Sequence, residues 1–176
     1  GIGSTSLVTV TVSEAVTGFS LADLTTDNGT LSNLSTNDNI TYTATLTPVA
    51  GITQSNNHIV LDNTGVSDIA GNLGSGITSS NAYMIDSLRP TATIVIADPV
   101  LKAGETSLVT VTFSEAVSGF DNSDLNVPNG SLSALTSQDG GVTWIGTFTP
   151  SSNTRDTTNL ISLNNAGYTD LAGNTG

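Results

Sequence analysis

Two stretches decide the fold: TSLVTVTVSEAVTGF at residues 5–19 and TSLVTVTFSEAVSGF at residues 106–120. Working outward, DNGTLSNLS (27–35) matches PNGSLSALT (128–136), YTATLTP (42–48) matches WIGTFTP (144–150), and GVSDIAGNLG (65–74) matches GYTDLAGNTG (167–176). Across residues 5–74 and 106–176, 35 of 70 aligned pairs are identical, with a single one-residue insertion in the second copy. A period near one hundred residues is the size of an immunoglobulin-like sandwich and too long for a small solenoid unit.

The repeat also locates what occurs once. Gly1 aligns with Lys102 and Gly176 with Gly74, so residues 75–101 have no second copy. That segment reads as the last strand of the first unit, a linker at 86–90, and the first strand of the second. The chain is thus expected to hold two units, 1–86 lacking a first strand and 87–176 lacking a last one.

Within each unit apolar residues alternate with threonine. Val8, Val10 and Val12 share one face of residues 7–12, and Val109, Val111 and Phe113 repeat the pattern. Ile40, Tyr42, Ala44 and Leu46 do the same, as do Val142, Trp144 and Phe148. Period-two alternation with β-branched partners means half-buried antiparallel strands. Further strands are expected at 58–61, 77–85, 92–97 and 160–163. Pro48 and Pro150 close their strands, since proline has no N–H for the ladder. Asn28-Gly29 and Asn129-Gly130 are turn signals, because both residue types tolerate positive φ. No segment has helical periodicity. The fold class is therefore all-β, two tandem Ig-like antiparallel sandwiches arranged end to end, with Val8, Val10, Val12, Tyr42, Leu46, Val109, Val111, Phe113, Trp144 and Phe148 buried.

Composition narrows the function. Without cysteine there is no disulfide and no thiol chemistry. Fifteen acidic residues against Arg89, Lys102 and Arg155 leave a net charge of −12. Nucleic acid binding needs cationic side chains to neutralise phosphates, and anionic membrane surfaces are disfavoured for the same reason. The partners that suit such a surface are cations, although acidity also serves solubility alone. No apolar run approaches the ~20 residues that span a bilayer. The first residues do not read as a secretory leader, which carries little weight in a chain that reads as part of an array.

TVTFSEAVSGF (110–120), DLNVPNGSLS (124–133), TFTP (147–150) and GYTDLAGN (167–174) together resemble the bacterial Ig-like repeats of giant surface adhesins and biofilm-associated proteins. The resemblance covers nearly the whole chain. It implies an extender module of an extracellular fibre on the cell surface or in the biofilm matrix, stiffened by Ca²⁺ at domain junctions. The implied partners are neighbouring repeats; separately, units that lack a first and a last strand expose unpaired edges, which gives head-to-tail copies joined by strand complementation as the other expected partner.

Strand topology puts candidate cation ligands together. Chain direction alternates between successive strands, so Glu115, at the end of the second strand, returns toward the linker that holds Asp86. The TDLAGN turn precedes a strand leaving in the other direction, so Asp170 and Asn174 return to the same end. Hard cations take six to eight oxygens at about 2.3–2.6 Å, and Asp86, Glu115, Asp170 and Asn174 offer such a set. The plainer reading is that Asp170 and Asn174 form an Asx turn and Glu115 is simply exposed. Glu14, Asp68 and Asn72 are the equivalents in the first unit, expected to be incomplete without a preceding linker. Asp121 and Asp124, with Asp23 as counterpart, read as solvated loop acids and match no EF-hand spacing.

Catalysis finds little support. The single histidine, His58, has Leu160 as counterpart, and nothing marks a nucleophile beside it. Tyr42 and Trp144 read as core aromatics ahead of a sugar-stacking platform. Asn28, Asn33, Asn39 and Asn129 match the N-glycosylation pattern, which a chain rich in Asn, Ser and Thr produces by chance. The reading is a non-enzymatic spacer. Its alternatives are a glycan- or partner-binding module, and the accessory region of a secreted hydrolase.

Overall fold

The computed structural model describes residues 1–176. It divides the chain into two compact units, residues 1–88 and 89–176. Regular structure is all strand apart from three short 3₁₀ turns, and every strand pair is antiparallel.

The first unit runs β1 (Ser6–Thr11), β2 (Val16–Thr17), β3 (Leu24–Thr26), β4 (Gly29–Thr36), β5 (Thr41–Pro48), β6 (Thr53–Asn57), β7 (Ile59–Asp62), β8 (Ser67–Asp68), β9 (Ile77–Ser79) and β10 (Tyr83–Asp86). One sheet has the order β1-β5-β4 and the facing one β3-β7-β9, with β2-β8 and β10-β6 as smaller pairs. Tyr42, Ala44 and Leu46 of β5 point inward and meet Leu24, Ile59, Leu61 and Val66. Tyr42 packs edge-on to Phe19 at 4.6 Å and donates its hydroxyl to the Val16 carbonyl at 3.3 Å. A buried phenol thus keeps a partner at no loss of apolar contact.

The second unit runs β11 (Ala92–Ile96), β12 (Ser107–Phe113), β13 (Val117–Ser118), β14 (Leu125–Asn126), β15 (Gly130–Leu132), β16 (Thr136–Ser137), β17 (Thr143–Pro150), β18 (Ser162–Leu163) and β19 (Thr169–Asp170). Its main sheet has the order β11-β12-β17-β15, with β14-β18 and β13-β19 as the short pairs. Val109, Val111, Phe113, Phe120, Phe148 and Tyr168 form one core. Phe113 meets Phe120 and Tyr168 edge-on at 5.0 and 4.8 Å, and Trp144 meets Phe120 at 5.4 Å.

Four expectations need correction. Val8, Val10 and Val12 are only half-buried, whereas Val109 and Val111 are fully buried and Phe113 nearly so. The difference is β11, which flanks β12 but has no counterpart beside β1. Trp144 is also half-buried; its indole N–H donates to the carbonyl of Gly141, in the hairpin that is one residue longer in this copy, at 3.0 Å. Residues 77–85 are two strands, not one. At Ser80 the side chain accepts the Ile59 N–H at 3.0 Å, and the chain leaves β7 to pair with β6. Finally, Asp86 belongs to β10, paired with Thr53, so the first unit reaches past the expected linker start. Ser87 is buried, with its hydroxyl on the carbonyls of Val49 and Ile52 at 2.8 and 3.2 Å.

In the Asn-Gly turns only the asparagine is left-handed, at φ 51° for Asn28 and 55° for Asn129. The glycine answers a different need. A Cβ on Gly29 would meet the Leu46 side chain at 2.8 Å, and one on Gly130 would strike the Phe148 ring. Asn33 and Asn39 also have positive φ, so all four asparagines of the glycosylation pattern serve as backbone bends.

Because Val10 and Val111 are the same residue at the same repeat position, they isolate the effect of the missing strand. Val111→Ala is expected to cost about 2 kcal/mol, and Val10→Ala roughly half of that or less. Native-state hydrogen exchange, read separately over the two units, checks the ratio; equal costs would mean that β11 adds nothing to the core.

Candidate metal centre and the turn carboxylates

Each unit carries the same clamp. In the second, Asn174 donates its backbone N–H to Asp170 Oδ1 at 2.8 Å and its side-chain amide to Oδ2 at 2.7 Å. Asp170 N–H bonds back to the Asn174 carbonyl at 3.0 Å, and Gly173 turns the chain at φ 84°. In the first, Asn72 holds Asp68 at the same 2.8 and 2.7 Å around Gly71 at φ 89°. The Asx-turn reading is therefore present in both copies. Asp170 and Asn174 are buried, at 2% and 1% exposure, while Asp68 is half-buried and Asn72 exposed.

The clamp does not exhaust the carboxylate. Two ionised oxygens offer about four acceptor sites, and Asn174 uses two of them. Ladder pairing of Asp170 with Val117 brings the turn beside the end of β12. There one carboxylate oxygen of Glu115 lies within 4.8 Å of one of Asp170. Two oxygens on one ion at 2.3–2.6 Å stand at most about 5 Å apart, so the spacing fits a shared Ca²⁺. Glu14 is exposed and lines the same cavity as Asp68 and Asn72 in the first unit. Asp86, at the end of β10, accepts the Thr53 hydroxyl at 2.9 Å and the Leu88 N–H at 3.3 Å.

The remaining acids are structural in a way that counting charges missed. Asp124 is buried, not a solvated loop acid. It closes a capping box on a 3₁₀ turn, accepting the Asp121 N–H at 3.0 Å, while Asp121 accepts the Ser123 N–H at 2.7 Å. Asp23 does the same for Ser20 at 2.8 Å. A capping box satisfies two N–H groups that a helical turn otherwise leaves open. Its signal, Ser or Asp three residues before Asp, was present in both copies.

Asp38 and Asp139 were not singled out by sequence, yet they occupy equivalent hairpins. Asp38 Oδ1 accepts the Ile40 and Thr41 N–H groups at 2.9 and 2.7 Å. Asp139 accepts the Thr143 N–H at 2.8 Å, the Val142 N–H at 3.2 Å and the Ser137 hydroxyl at 2.9 Å. The Thr143 N–H, followed by the hydroxyl bonds and Val142, pulls the Asp139 pKa down to about 2. Asp38 is lowered chiefly by Thr41, Asp62 by Thr64, Asp68 by Asn72, Asp121 by Ser123 and Asp156 by Thr158. In each case the bonds favour the charged form. Tyr168 moves the other way, raised by burial and then by the Asp124 charge, so its hydroxyl stays protonated and donates to Asn165 at 2.9 Å.

Other residues considered from sequence have ordinary settings. His58 is half-buried between β6 and β7, and its backbone N–H donates to Asp27 Oδ2 at 3.1 Å. The Trp144 ring is held by Phe120 on one side and its own N–H bond on the other.

A family model described as a bacterial Ig-like domain matches residues 1–85 and again residues 86–176. No curated protein and no solved structure matches the chain. No helix is long and apolar enough to cross a membrane.

The turn acids set a direction for acid stability. A carboxylate with a depressed folded pKa stabilises fully above its unfolded value and ceases to do so as pH falls through the folded one. For Asp139 that window runs from 3.8 down to about 2. The chain is expected to lose stability steadily across this range. Asp139→Asn should flatten the slope there and leave the neutral-pH slope unchanged, as read by urea unfolding followed through Trp144 fluorescence.

Proposed function

Because the chain belongs to the bacterial Ig-like domain family, as two consecutive members of it, we propose that it is a spacer in an extracellular surface adhesin or biofilm fibre. The observation that carries this reading is where its polar groups go. The clamp, the capping box and the hairpin aspartate recur in both units and are committed to holding turns. No arrangement of nucleophile and base stands out beside them, and the reading is non-enzymatic. A module whose chemistry is spent on its own rigidity suits length and stiffness, with neighbouring repeats as its partners.

The proposal extends to calcium where one repeat follows the next. Glu115 and Asp170 supply two oxygens at a spacing that suits the ion, with Asn174 positioning Asp170. Asp86 lies three residues before Arg89, at the start of the second unit, and completes the proposed set of carboxylates. Asn174 contributes its amide oxygen or acts only through Asp170. Carboxylates gathered without a cation repel one another, and an ion that offsets the repulsion restrains the chain between repeats. Binding to the folded state alone stabilises by about 2.7 kcal/mol when free ion is a hundredfold above Kd. Extracellular modules bind with Kd of ~10⁻⁴–10⁻³ M, and Mg²⁺ substitutes poorly because it demands tight octahedral geometry.

Thermal melting and small-angle scattering of wild type and Glu115→Gln, in millimolar calcium and then in chelator, test this. Glu115→Gln leaves the Asp170–Asn174 clamp intact. Wild type should melt higher and hold a longer maximum dimension with calcium, and the variant should respond much less. If chelation changes neither quantity in wild type, the acids serve turns and solubility only.

A further inference from the structure

The outer face of the second unit's main sheet carries no charge. β11, β12 and β17 turn nine side chains away from the core, six threonines and three aliphatics. None of the chain's fifteen acidic and three basic residues is among them. The aliphatics are neighbours. Thr110 lies opposite Val95 on one side and Ile145 on the other, and Leu108 stands two positions away on the same face of β12. Val95, Leu108 and Ile145 are 58%, 46% and 41% exposed, while Thr110 between them is half-buried. Both β12 and β17 have a partner on each side, so this is the flat of a paired sheet and not an edge. An exposed apolar patch that is contiguous points to an interaction site, whereas scattered apolar residues do not.

Chemistry selects the occupant. A sugar-stacking platform needs an aromatic ring, and the Trp144 ring is turned to the other face, against Phe120. Phosphate-bearing polymers need cationic side chains, and the face has none. A second copy of the same face meets neither obstacle. The net charge is −12, so two copies repel wherever their acids meet, and the uncharged sheet is where they approach with least repulsion. Thr, Val and Ile are stiff at χ1, so holding them in a contact costs little rotamer freedom, unlike the Lys and Glu that cover many sheet faces. Threonine hydroxyls both donate and accept, which makes the face complementary to itself.

We propose that this face is a homotypic docking surface, on which two copies pair sheet to sheet about a twofold axis so that Val95, Leu108 and Ile145 meet the same residues of the partner. Four strands about 4.8 Å apart and six residues of about 3.3 Å each span roughly 400 Å² on each copy. Two such faces give about 800 Å², short of the ~1,200 Å² of a stable pair, so a single contact is weak. The first unit repeats the alternation, with Leu7 at the Leu108 position and Thr9, Thr43 and Thr45 beside it. Weak contacts that are linked along one chain gain avidity when several engage. The surface thus adds lateral association to a spacer and does not depend on the calcium reading.

The test uses the whole ¹⁵N-labelled chain in chelator, followed by sedimentation equilibrium and by resonance shifts as protein concentration rises to millimolar. Concentration-dependent shifts are expected at Val95, Leu108, Thr110 and Ile145. They should strengthen with salt, because the Debye length falls from about 30 Å at 0.01 M to about 10 Å at 0.1 M and screens the acids. Ile145→Lys sets a charge on the exposed face and should weaken pairing at least tenfold with an unchanged melting temperature, while Ile145→Val should pair as wild type does. The inference is overturned if the chain stays monomeric to millimolar concentration in high salt, or if self-association persists undiminished in Ile145→Lys, which would place it at strand edges. It is equally overturned if these resonances move only when a soluble β-glucan oligosaccharide is added to dilute protein, which would make the face a glycan site. Chelator is present throughout, so failure here is separable from failure of the calcium reading.

Discussion

A strand that alternates valine with threonine can bury its valines only if it has neighbours on both sides. The structure is organised around that constraint. β12, between β11 and β17, places Val109 and Val111 out of contact with water, and the aromatic cluster of Phe113, Phe120 and Tyr168 builds on them. β1 has the same alternation and one neighbour fewer, so its valines remain half-wet. The first unit's buried residues accordingly fall into two smaller groups, one around Leu46 and one around Tyr42.

A core of short strands leaves many turns, and the turns account for much of the chain's acidity. Most of the aspartates accept backbone N–H groups within a few residues of themselves. Ionised acceptors make stronger bonds than neutral ones, so negative charge is a local resource for fixing loops in a fold without disulfides. Lys102 balances a little of it by pairing with Glu105. The same carboxylate therefore pins a turn and presents spare lone pairs, as Asp170 does beside Glu115.

Alternation and repetition made the sandwich, the strand set and the Asp-Asn turn readable from residues alone, because each is a local pattern stated twice. What escaped depended on contacts distant in sequence. The repeat offset showed that the first unit lacks a first strand, but the alternation around Val10 read as buried regardless, because alternation does not register how many neighbours a strand has. Trp144 looked like a core residue, but its indole N–H bonds to the Gly141 carbonyl in the lengthened hairpin. The capping role of Asp124 was present as a spacing, but charge alone suggested solvent. Residues 77–85 read as one apolar run, and the switch between sheets depends on the Ser80 hydroxyl replacing a ladder partner. For the candidate centre, strand direction accounts for the approach of Glu115 to Asp170, with carboxylate oxygens within 4.8 Å, whereas the pairing of Asp86 with Thr53 depends on a partner distant in sequence.

Asp23 and Asp124 also occupy space that a neighbouring residue gives up. Their carboxylates sit where Gly65 and Gly167 would carry a Cβ. Neither position can drift alone: a side chain at the glycine evicts the acid, and the lost acid uncaps its 3₁₀ turn. As copies of the repeat diverge, this pair is bound to change together or not at all. It therefore works as a ruler, marking where each copy begins and how its two halves align even after the valine pattern has blurred.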